Sequence, residues 1–587
     1  MPEFKKTLHV YLTHLYGPRA EEVQRRLLQH IDHFLPLLTP SARSSAPHSQ
    51  SAPTWSEKDQ WLICYGDSII DADLPPLAVL DDFLQARLGD RISGVHVLPF
   101  FPWSSDDGFS VIHYREVNPE LGDWPHIQTL ARHYDLMADL VLNHVSRESL
   151  WFVDYLSGSS PGRDYFIEVD PETDVSQVTR PRSSPLLVPV ATRRGTRHLW
   201  ATFSEDQLDL NFENPDVLLE FVGILLFYLQ QGTRIIRLDA VAFLWKRLGT
   251  SCIHLPETHT VVRLLRAIVD HVAPGTLLVT ETNVPHEENI SYFGLERLPE
   301  GAPDEAHMVY QFALPPLLLH TLTRGESETL QTWLSSLPVL PNQCTYLNFT
   351  ASHDGIGVRP LEGLLPNHER DALLELMHRF GGFVSMRSNP DGSDTPYEIN
   401  ITWFEAMRGT RRGPDPWQVA RFLCSQAIML SLQGIPALYI HTLTSTLNDV
   451  EGVERSGRLR SINRRRWQRS ELDLLLDNTA NPTHYIFHAL CRFLECRRQE
   501  PCFHPSAAQR VLVSPPELLA IERGPLRDGR RLLALYNVTD KPLPLPNAGD
   551  AVTQALEQHD WQAIESDSPE LEDTLPPYAV RWLITLA

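Results

Sequence analysis

The stretch TRIIRLDAV, residues 233–241, is a short run of β-branched and leucine side chains that opens beside Arg234, is interrupted by a second cation, Arg237, and carries one anion, Asp239, near its end. So continuous an apolar run reads as a strand covered on both faces, the condition of a parallel sheet wrapped by helices. Residues two apart on a strand share a face, so Arg237 and Asp239 point the same way. A guanidinium in that position favours the ionised form of Asp239 and lowers its proton affinity. The alternative for the same two residues is a buried ion pair that does no more than hold the strand.

Seven further runs of this kind flank it: WLICYGDSI (61–69), GVHVLPFF (94–101), LMADLVLNHV (136–145), TLLVTETNV (276–284), HMVYQFAL (307–314), TYLNFTASHD (345–354) and IPALYI (435–440). Helical stretches separate many of them, including 78–88, 216–230, 258–272 and 417–432. Such alternation implies parallel pairing through right-handed crossovers, and eight units close an α/β fold of the (β/α)8 TIM barrel type. An open doubly wound sheet is the alternative. Residues 146–215 and 355–415 are too long for simple loops, and both follow the C-terminal ends of strands, the rim on which barrel sites are built. They are read as inserted subdomains, the first a lid and the second a lid carrying an acceptor loop. Residues 1–60 read as a helical N-terminal extension and linker, with Val23, Leu27, Leu28 and Ile31 at helical spacing and a Ser-, Ala- and Pro-rich stretch from Leu38 to Pro53. The catalytic barrel then spans 61–510, and the alternating segments RRLLALYNVT and YAVRWLITL make 511–587 a C-terminal antiparallel β domain.

With 51 basic against 74 acidic residues the formal net charge is −23. That field repels phosphate backbones and anionic lipid, so neither nucleic acid nor a membrane surface is an expected partner. The seven cysteines include no Cys-x-x-Cys pair and read as free thiols of a reducing compartment. The first residues lack the apolar core of a secretory signal, and no run reaches the roughly 20 apolar residues of a membrane span. The expected location is cytoplasmic.

Asp239 has two counterparts. Glu281 closes LLVTETNV and Asp354 closes LNFTASHD, and a carboxylate ending a buried strand is costly unless hydrogen-bonded, paired or needed. Each alone suits a loop or a helix cap. Three of them, expected on alternate strands of one barrel, point instead to glycoside chemistry, which keeps one carboxyl charged and another neutral. Glu281, between Thr280 and Thr282, has no adjacent cation in sequence and suits the neutral role. His144 and His353 adjoin strand ends beside these acids and suit hydrogen bonding to sugar hydroxyls. Phe101, Trp103, Phe109 and Phe203 suit stacking on a pyranose ring, although such residues also serve as core. HDGIGV lacks the third glycine of a dinucleotide fingerprint, and the chain has no P-loop, HExxH or G-x-S-x-G.

IIRLDAV, LVTETNV and ASHDGIG, in that order and with LVLNHVS upstream, resemble the ordered blocks of the α-amylase clan, glycoside hydrolase family 13. HVLPFFPWSSDDGFSVIHY, GTSCIHL, FALPPLLLH and RSINR are similar to the sucrose phosphorylase branch, across residues 60–505. The resemblance implies Asp239 as the nucleophile of a β-glucosyl ester, Glu281 as the general acid/base and Asp354 as the transition-state stabiliser. It implies glucosyl-site roles for Arg237, His144, His353, Phe109, Phe203 and Gln207, and a pair, Asp106 with Arg460, closing the non-reducing end. A pocket closed after one sugar suits a small glucoside rather than starch.

Phosphorolysis also requires that the ester be attacked by phosphate in preference to water, and a rim of carboxylates repels phosphate unless basic groups offset it. Arg180 and Arg182, in TRPR, resemble the basic loop that serves phosphate in this branch; solvated loop arginines are the alternative. The insertion VSMRSNPDGSDTPYEIN, the N-terminal extension and VTRPRSSPLL are most similar to the glucosylglycerate-cleaving members. Arg387 then pairs with the glycerate carboxylate. The expected reaction is cleavage of 2-O-α-glucosylglycerate by phosphate to α-glucose 1-phosphate and glycerate, with no cofactor. Sucrose, sucrose 6′-phosphate or glucosylglycerol as substrate, a hydrolase or transglucosidase of the same fold, and a non-catalytic scaffold remain as alternatives. Calcium near Asn143 is common among amylase relatives and generally missing from this branch, so no metal is expected. A homodimer is open.

Overall fold

A computed structural model of the chain describes residues 2–38, 55–294, 302–341, 343–389, 393–566 and 571–585. Each apolar run supplies one strand: β1 Trp61–Cys64, β2 Gly94–Val97, β3 Asp135–Val141, β4 Ile235–Asp239, β5 Leu277–Thr280, β6 Met308–Tyr310, β7 Thr345–Asn348 and β8 Ile435–Tyr439. All pair in parallel with their sequence neighbours, and β8 returns to β1, closing the barrel. Every residue in the eight strands is buried. Helices cover the outside and side chains fill the inside, so the runs show continuous rather than alternating apolarity. Closure excludes the open sheet.

The strands are shorter than the runs that announced them, because each run continues into the loop at the C-terminal rim. Asp239 is the last residue of β4, Glu281 follows β5, and Asp354 lies in a loop beyond the end of β7 at Asn348. The three acids thus come from β4, β5 and β7, two of them adjacent, and not from alternate strands. Two strands side by side bring their end residues closer than alternation would.

Two helices, α1 Pro2–Tyr16 and α2 Ala20–Phe34, precede the barrel. Its outer layer includes α3 Pro76–Arg87, α4 Trp124–His133, α5 Pro215–Gln230, α6 Pro256–Val272, α7 Leu314–Arg324, α8 Gln418–Ser431 and α9 Pro482–Gln499. α5 begins where the Asn214 side chain accepts from the Asp216 N–H and a proline fills the first turn. It is apolar almost all round because it has two neighbours, the barrel within and α2 without. α1 packs on α6 in the same way. Leu8, Leu12, Val23, Leu27 and Ile31 are buried, the Tyr16 hydroxyl donates to the Phe212 carbonyl at 3.0 Å, and Arg26 meets Asp216 at 2.7 Å. The N-terminal segment is therefore part of the main core rather than an appendage. Of the expected linker, residues 39–54 lie outside the described residues.

The first insertion contains a helix, Leu150–Ser157, and a hairpin, Leu187–Thr192 with Gly195–Trp200. The second forms a three-stranded sheet of Ile356–Gly357, Asp394–Asn400 and Phe383–Ser388. The acceptor loop expected there is a β-hairpin whose tip, residues 390–392, lies outside the described residues. A five-stranded antiparallel sheet ends the chain: β9 Gln509–Leu512, β10 Leu518–Arg523, β11 Leu532–Asn537, β12 Trp561–Ala563 and β13 Val580–Thr585. All seven cysteines are free, and only Cys496 is not fully buried. Among the described residues no helix is long and apolar enough to cross a membrane.

Leu27 is fully buried on α2, which packs on α5, so Leu27→Ala should destabilise the whole protein by about 2–5 kcal/mol, read as a lower urea midpoint. An unchanged midpoint would show that the N-terminal helices are not part of the cooperative unit.

Candidate active site

Charge enters the barrel through one buried chain of side chains. His96 on β2 bonds Asp139 on β3 at 2.6 Å, Asp139 accepts from Arg237 on β4 at 2.5 Å, and the same guanidinium nitrogen reaches Asp239 at 2.6 Å. The strand register sets Arg237 beside Asp139, so the link spans adjacent inward-facing positions. Burial works against charge on Asp139, but His96 and Arg237 outweigh it and hold its carboxyl below the usual range. Asp239 behaves differently. Burial pushes its carboxyl well up, against the pull of Arg237. Arg237 does lower the proton affinity of Asp239, as the sequence predicts, but burial and the neighbouring Glu281 and Asp139 outweigh it.

Glu281 is also pushed up by burial, with Arg237 opposing and Asp354 reinforcing. It accepts the backbone N–H of Ala240 at 3.1 Å, and Ala240, the residue after Asp239, has a left-handed backbone with φ of 50°. That strained turn ties the two carboxyls together. Only Asp239 receives a charge-assisted bond from Arg237, so of the two it ionises first and the proton rests on Glu281. On Asp354 burial opposes charge, but Arg460, His353 and Arg464 outweigh it and hold the carboxyl far below the usual range. One rim thus combines an anion that stays charged with a neighbouring pair that divides one proton.

Asp239, Glu281, Asp354, Asp106, Phe109, His144, Phe203, Gln207, Arg237, His353, Arg460 and Arg182 line a single pocket. Phe109 stacks on His353 at 4.8 Å and 5°, and Arg237 lies 5.5 Å above the Phe109 ring. His144 Nε2 is already engaged, 2.9 Å from the Phe109 carbonyl and 3.2 Å from Gln207 Nε2. Burial lowers the pKa of both histidines. Phe101, expected as a sugar platform, is instead core, stacked on Tyr228 at 5.2 Å.

The expected Asp106–Arg460 pair is not formed. Arg460 bridges Asp354 at 2.5 Å and Glu398 at 2.5 Å, lashing the second insertion to the rim. Arg464, the last residue of RSINR, takes the other role, at 2.5 Å from Asp107 and 3.8 Å from Asp106, while donating to the His353 carbonyl at 2.9 Å. Asp106 and Asp107 have φ of 53° and 47°. Two successive aspartates in the left-handed region persist because Arg464 holds them. Sequence reading had no means of choosing between two arginines four residues apart.

Beside the pocket, Asn143 accepts from the Lys246 ammonium at 2.6 Å, and that ammonium also meets Asp209 at 2.6 Å. Asp209 further accepts from the Thr202 N–H and hydroxyl at 2.7 and 2.6 Å. Burial lowers the lysine pKa and Asp209 opposes that shift. The chain itself supplies the cation at this carboxylate. Among the described residues no group of three or more His, Cys, Asp or Glu is placed to hold a metal.

A second cavity adjoins the first and shares Phe203, Ala240, Glu281, Asn283 and Tyr397 with it. Arg180, Arg387 and Arg359 line its far side. Arg180 makes no ion pair among the described residues, and burial lowers its pKa. Arg387 donates to Thr395 at 3.1 Å and to Glu362 at 2.9 Å. Arg182, grouped with Arg180 by sequence, turns the other way, 5.2 Å above the Tyr397 ring and 3.9 Å from Glu398. Sequence reading missed Asp139, Glu398, Arg464, Arg359 and Asn283; only Asp139 gave a signal, a charge inside an apolar strand.

A family model described as the α-amylase catalytic domain matches residues 84–354. A protein of Escherichia coli strain K12 named glucosylglycerate phosphorylase is 45% identical over 530 residues, covering 90% of this chain and 92% of its own. A protein of the same name from Allomeiothermus silvanus is 43% identical over 585 residues, covering 99% of each chain. The crystal structure of sucrose 6F-phosphate phosphorylase from Thermoanaerobacter thermosaccharolyticum shares the fold, with a TM-score of 0.71 at 24% identity over 84% of this chain and 96% of that one.

A carboxyl whose pKa is raised in the folded state stabilises the protein below its unfolded pKa and withdraws that stability as pH climbs through the folded value. A lowered one contributes above its unfolded pKa and loses its contribution as pH falls. At pH 7, Glu281→Gln should therefore hold or raise Tm while kcat falls about 10²–10⁴-fold, and Asp354→Asn should lower Tm. The reverse order of Tm values would contradict this division of charge. Lys246→Met leaves Asp209 buried without its cation and should cost about 3–5 kcal/mol in unfolding free energy; a neutral effect would show that the ammonium does not balance that carboxylate.

Proposed function

This chain belongs to the α-amylase family of glycoside hydrolases and, within it, to the glycoside phosphorylases, which are hexosyltransferases. On that footing we propose that it cleaves 2-O-α-glucosylglycerate with inorganic phosphate, giving α-glucose 1-phosphate and glycerate by double displacement. The observation that supports this most is the position of Glu281 in the wall common to the two cavities. A general acid must stand where the glycosidic oxygen leaves, between a glucosyl pocket and an acceptor pocket.

In this reading Asp239 attacks the anomeric carbon as the glycosidic bond breaks, and Glu281 gives its proton to the departing glycerate oxygen. Asp354, kept ionised by Arg460, stabilises the positive charge that builds on the ring. His144, His353, Phe109, Phe203 and Gln207 enclose the glucosyl unit, and Asp106 with Arg464 borders it. A phosphate oxygen then attacks the glucosyl ester, Asp239 leaves as a carboxylate, and Glu281 recovers the proton of hydrogen phosphate. Two inversions retain the α configuration.

Both the departing and the arriving group are anions, and a chain of net charge −23 repels them at long range. Arg180 and Arg387 offset that repulsion inside the acceptor cavity, with Arg182 adding charge from the glucosyl side. No cofactor is called for, since acid, base and nucleophile are all side chains.

Release of glucose 1-phosphate should be measured for glucosylglycerate, glucosylglycerol, sucrose and sucrose 6′-phosphate, each with and without phosphate. The expected result is phosphate-dependent release from glucosylglycerate above the others, abolished by Asp239→Asn. Phosphate-independent release of free glucose would make the enzyme a hydrolase, and preference for sucrose would move the acceptor assignment.

A further inference from the structure

The acceptor cavity contains two polar groups whose hydrogen-bonding capacity nothing in the fold uses. Asn283, two residues past Glu281, has a buried side-chain oxygen with no partner among the described residues, and Arg359 in the second insertion has a buried Nε–H with none among them. Both residues line the cavity, and Asn283 lines the glucosyl pocket as well. Unpaired buried polar atoms cost about 1–3 kcal/mol each, so a fold that keeps two of them on one cavity wall is arranged for something that fills it.

Both are held in place from behind. Thr282 donates to Asn289 at 2.5 Å and Asn289 to the Tyr310 carbonyl at 2.7 Å, which fixes the loop carrying Asn283. The Asn283 amide lies so close over Gly357 that an added Cβ would sit 2.6 Å from its oxygen, so only glycine admits it. Arg359 is anchored by its other end, 3.3 Å from Glu288, which is itself 3.1 Å from His254. The anchoring leaves Nε free. Arg387 differs, since its Nε already donates to Thr395 and its Nη2 to Glu362.

We propose that Arg359 and Asn283 are the acceptor-specificity residues of this site: Arg359 binds the carboxylate of the leaving glycerate, and Asn283 accepts a hydrogen bond from its free C3 hydroxyl. The inference rests on the functional reading above and replaces Arg387 as the carboxylate's partner. The two groups form a donor–acceptor set that fits a hydroxy acid. Glycerol offers hydroxyls without the anion, and D-lactate offers the anion without the C3 hydroxyl.

The test runs the reaction in the synthetic direction with glucose 1-phosphate as donor and D-glycerate, D-lactate or glycerol as acceptor, reading released phosphate. Arg359→Gln should raise KM for glycerate and lactate about 10–100-fold, well beyond any change for glycerol or for glucose 1-phosphate, whose phosphate enters the same cavity. Arg359→Lys, which keeps the charge without the planar fork, should lie between. Asn283→Ala should erase the preference for glycerate over lactate, about tenfold in the ratio of their kcat/KM values. Equal losses with glycerol and glycerate in Arg359→Gln, or an unchanged glycerate–lactate ratio in Asn283→Ala, would overturn the inference while leaving the phosphorylase reading intact. A wild-type enzyme that glucosylates no hydroxy acid would overturn both.

Discussion

The guanidinium of Arg237 is shared between two buried carboxylates inside the barrel. Asp139 and Asp239 lie at 2.5 and 2.6 Å from the same nitrogen, and His96 bonds the far side of Asp139. Buried charges of this kind are stable only when each has its partners. The partners come from three successive strands, β2, β3 and β4, so the network exists only when those strands are in register. Because Asp139 retains part of the cation, Asp239 is incompletely compensated and remains reactive. A strand ion pair and a primed nucleophile are here the same interaction.

Outward from that network, arginines link the inserted and rim loops to one another. Arg460 joins the rim acid Asp354 to Glu398 of the second insertion, and Arg464 joins the strained Asp106–Asp107 turn to the loop after β7. The glucosyl pocket is thereby walled by charge pairs that fall within the protein and are little screened by salt. The acceptor cavity is built on the opposite principle. Arg359 and Arg387 there are paired with Glu288 and Glu362, but Arg180 has no ion pair among the described residues and the Arg359 Nε has no hydrogen-bond partner among them. A glucose unit needs shape and neutral hydrogen bonds, whereas an exchanging anion needs charge that has not been neutralised in advance.

The barrel could be read from the chain because each strand buries both faces and each such run is bounded by helix signals. The carboxylates were legible for a related reason: a charge ending a run like IIRLD or LLVTE contradicts its surroundings and asks for an explanation. His144, His353, Phe109 and Arg237 adjoin these runs and could be found by position. Arg464 could not, since RSINR offers two arginines and only the fold of the loop decides which one meets Asp106. Nor could the opposite orientations of Arg180 and Arg182, which depend on how the TRPR loop bends around Pro181 between the two cavities.

Local rules of burial and periodicity acted on the sequence alone to determine the eight strands, the rim acids and the insertions, and the resemblance of the strand-end blocks added the reaction they imply. Which carboxyl keeps the proton, which arginine guards each side and which polar atoms are left unpaired were decided only by the tertiary structure. The reason is physical. Apolarity is a property of a segment and survives in one dimension, whereas electrostatic pairing depends on distances of a few ångströms between residues as remote in sequence as Arg464 and Asp106.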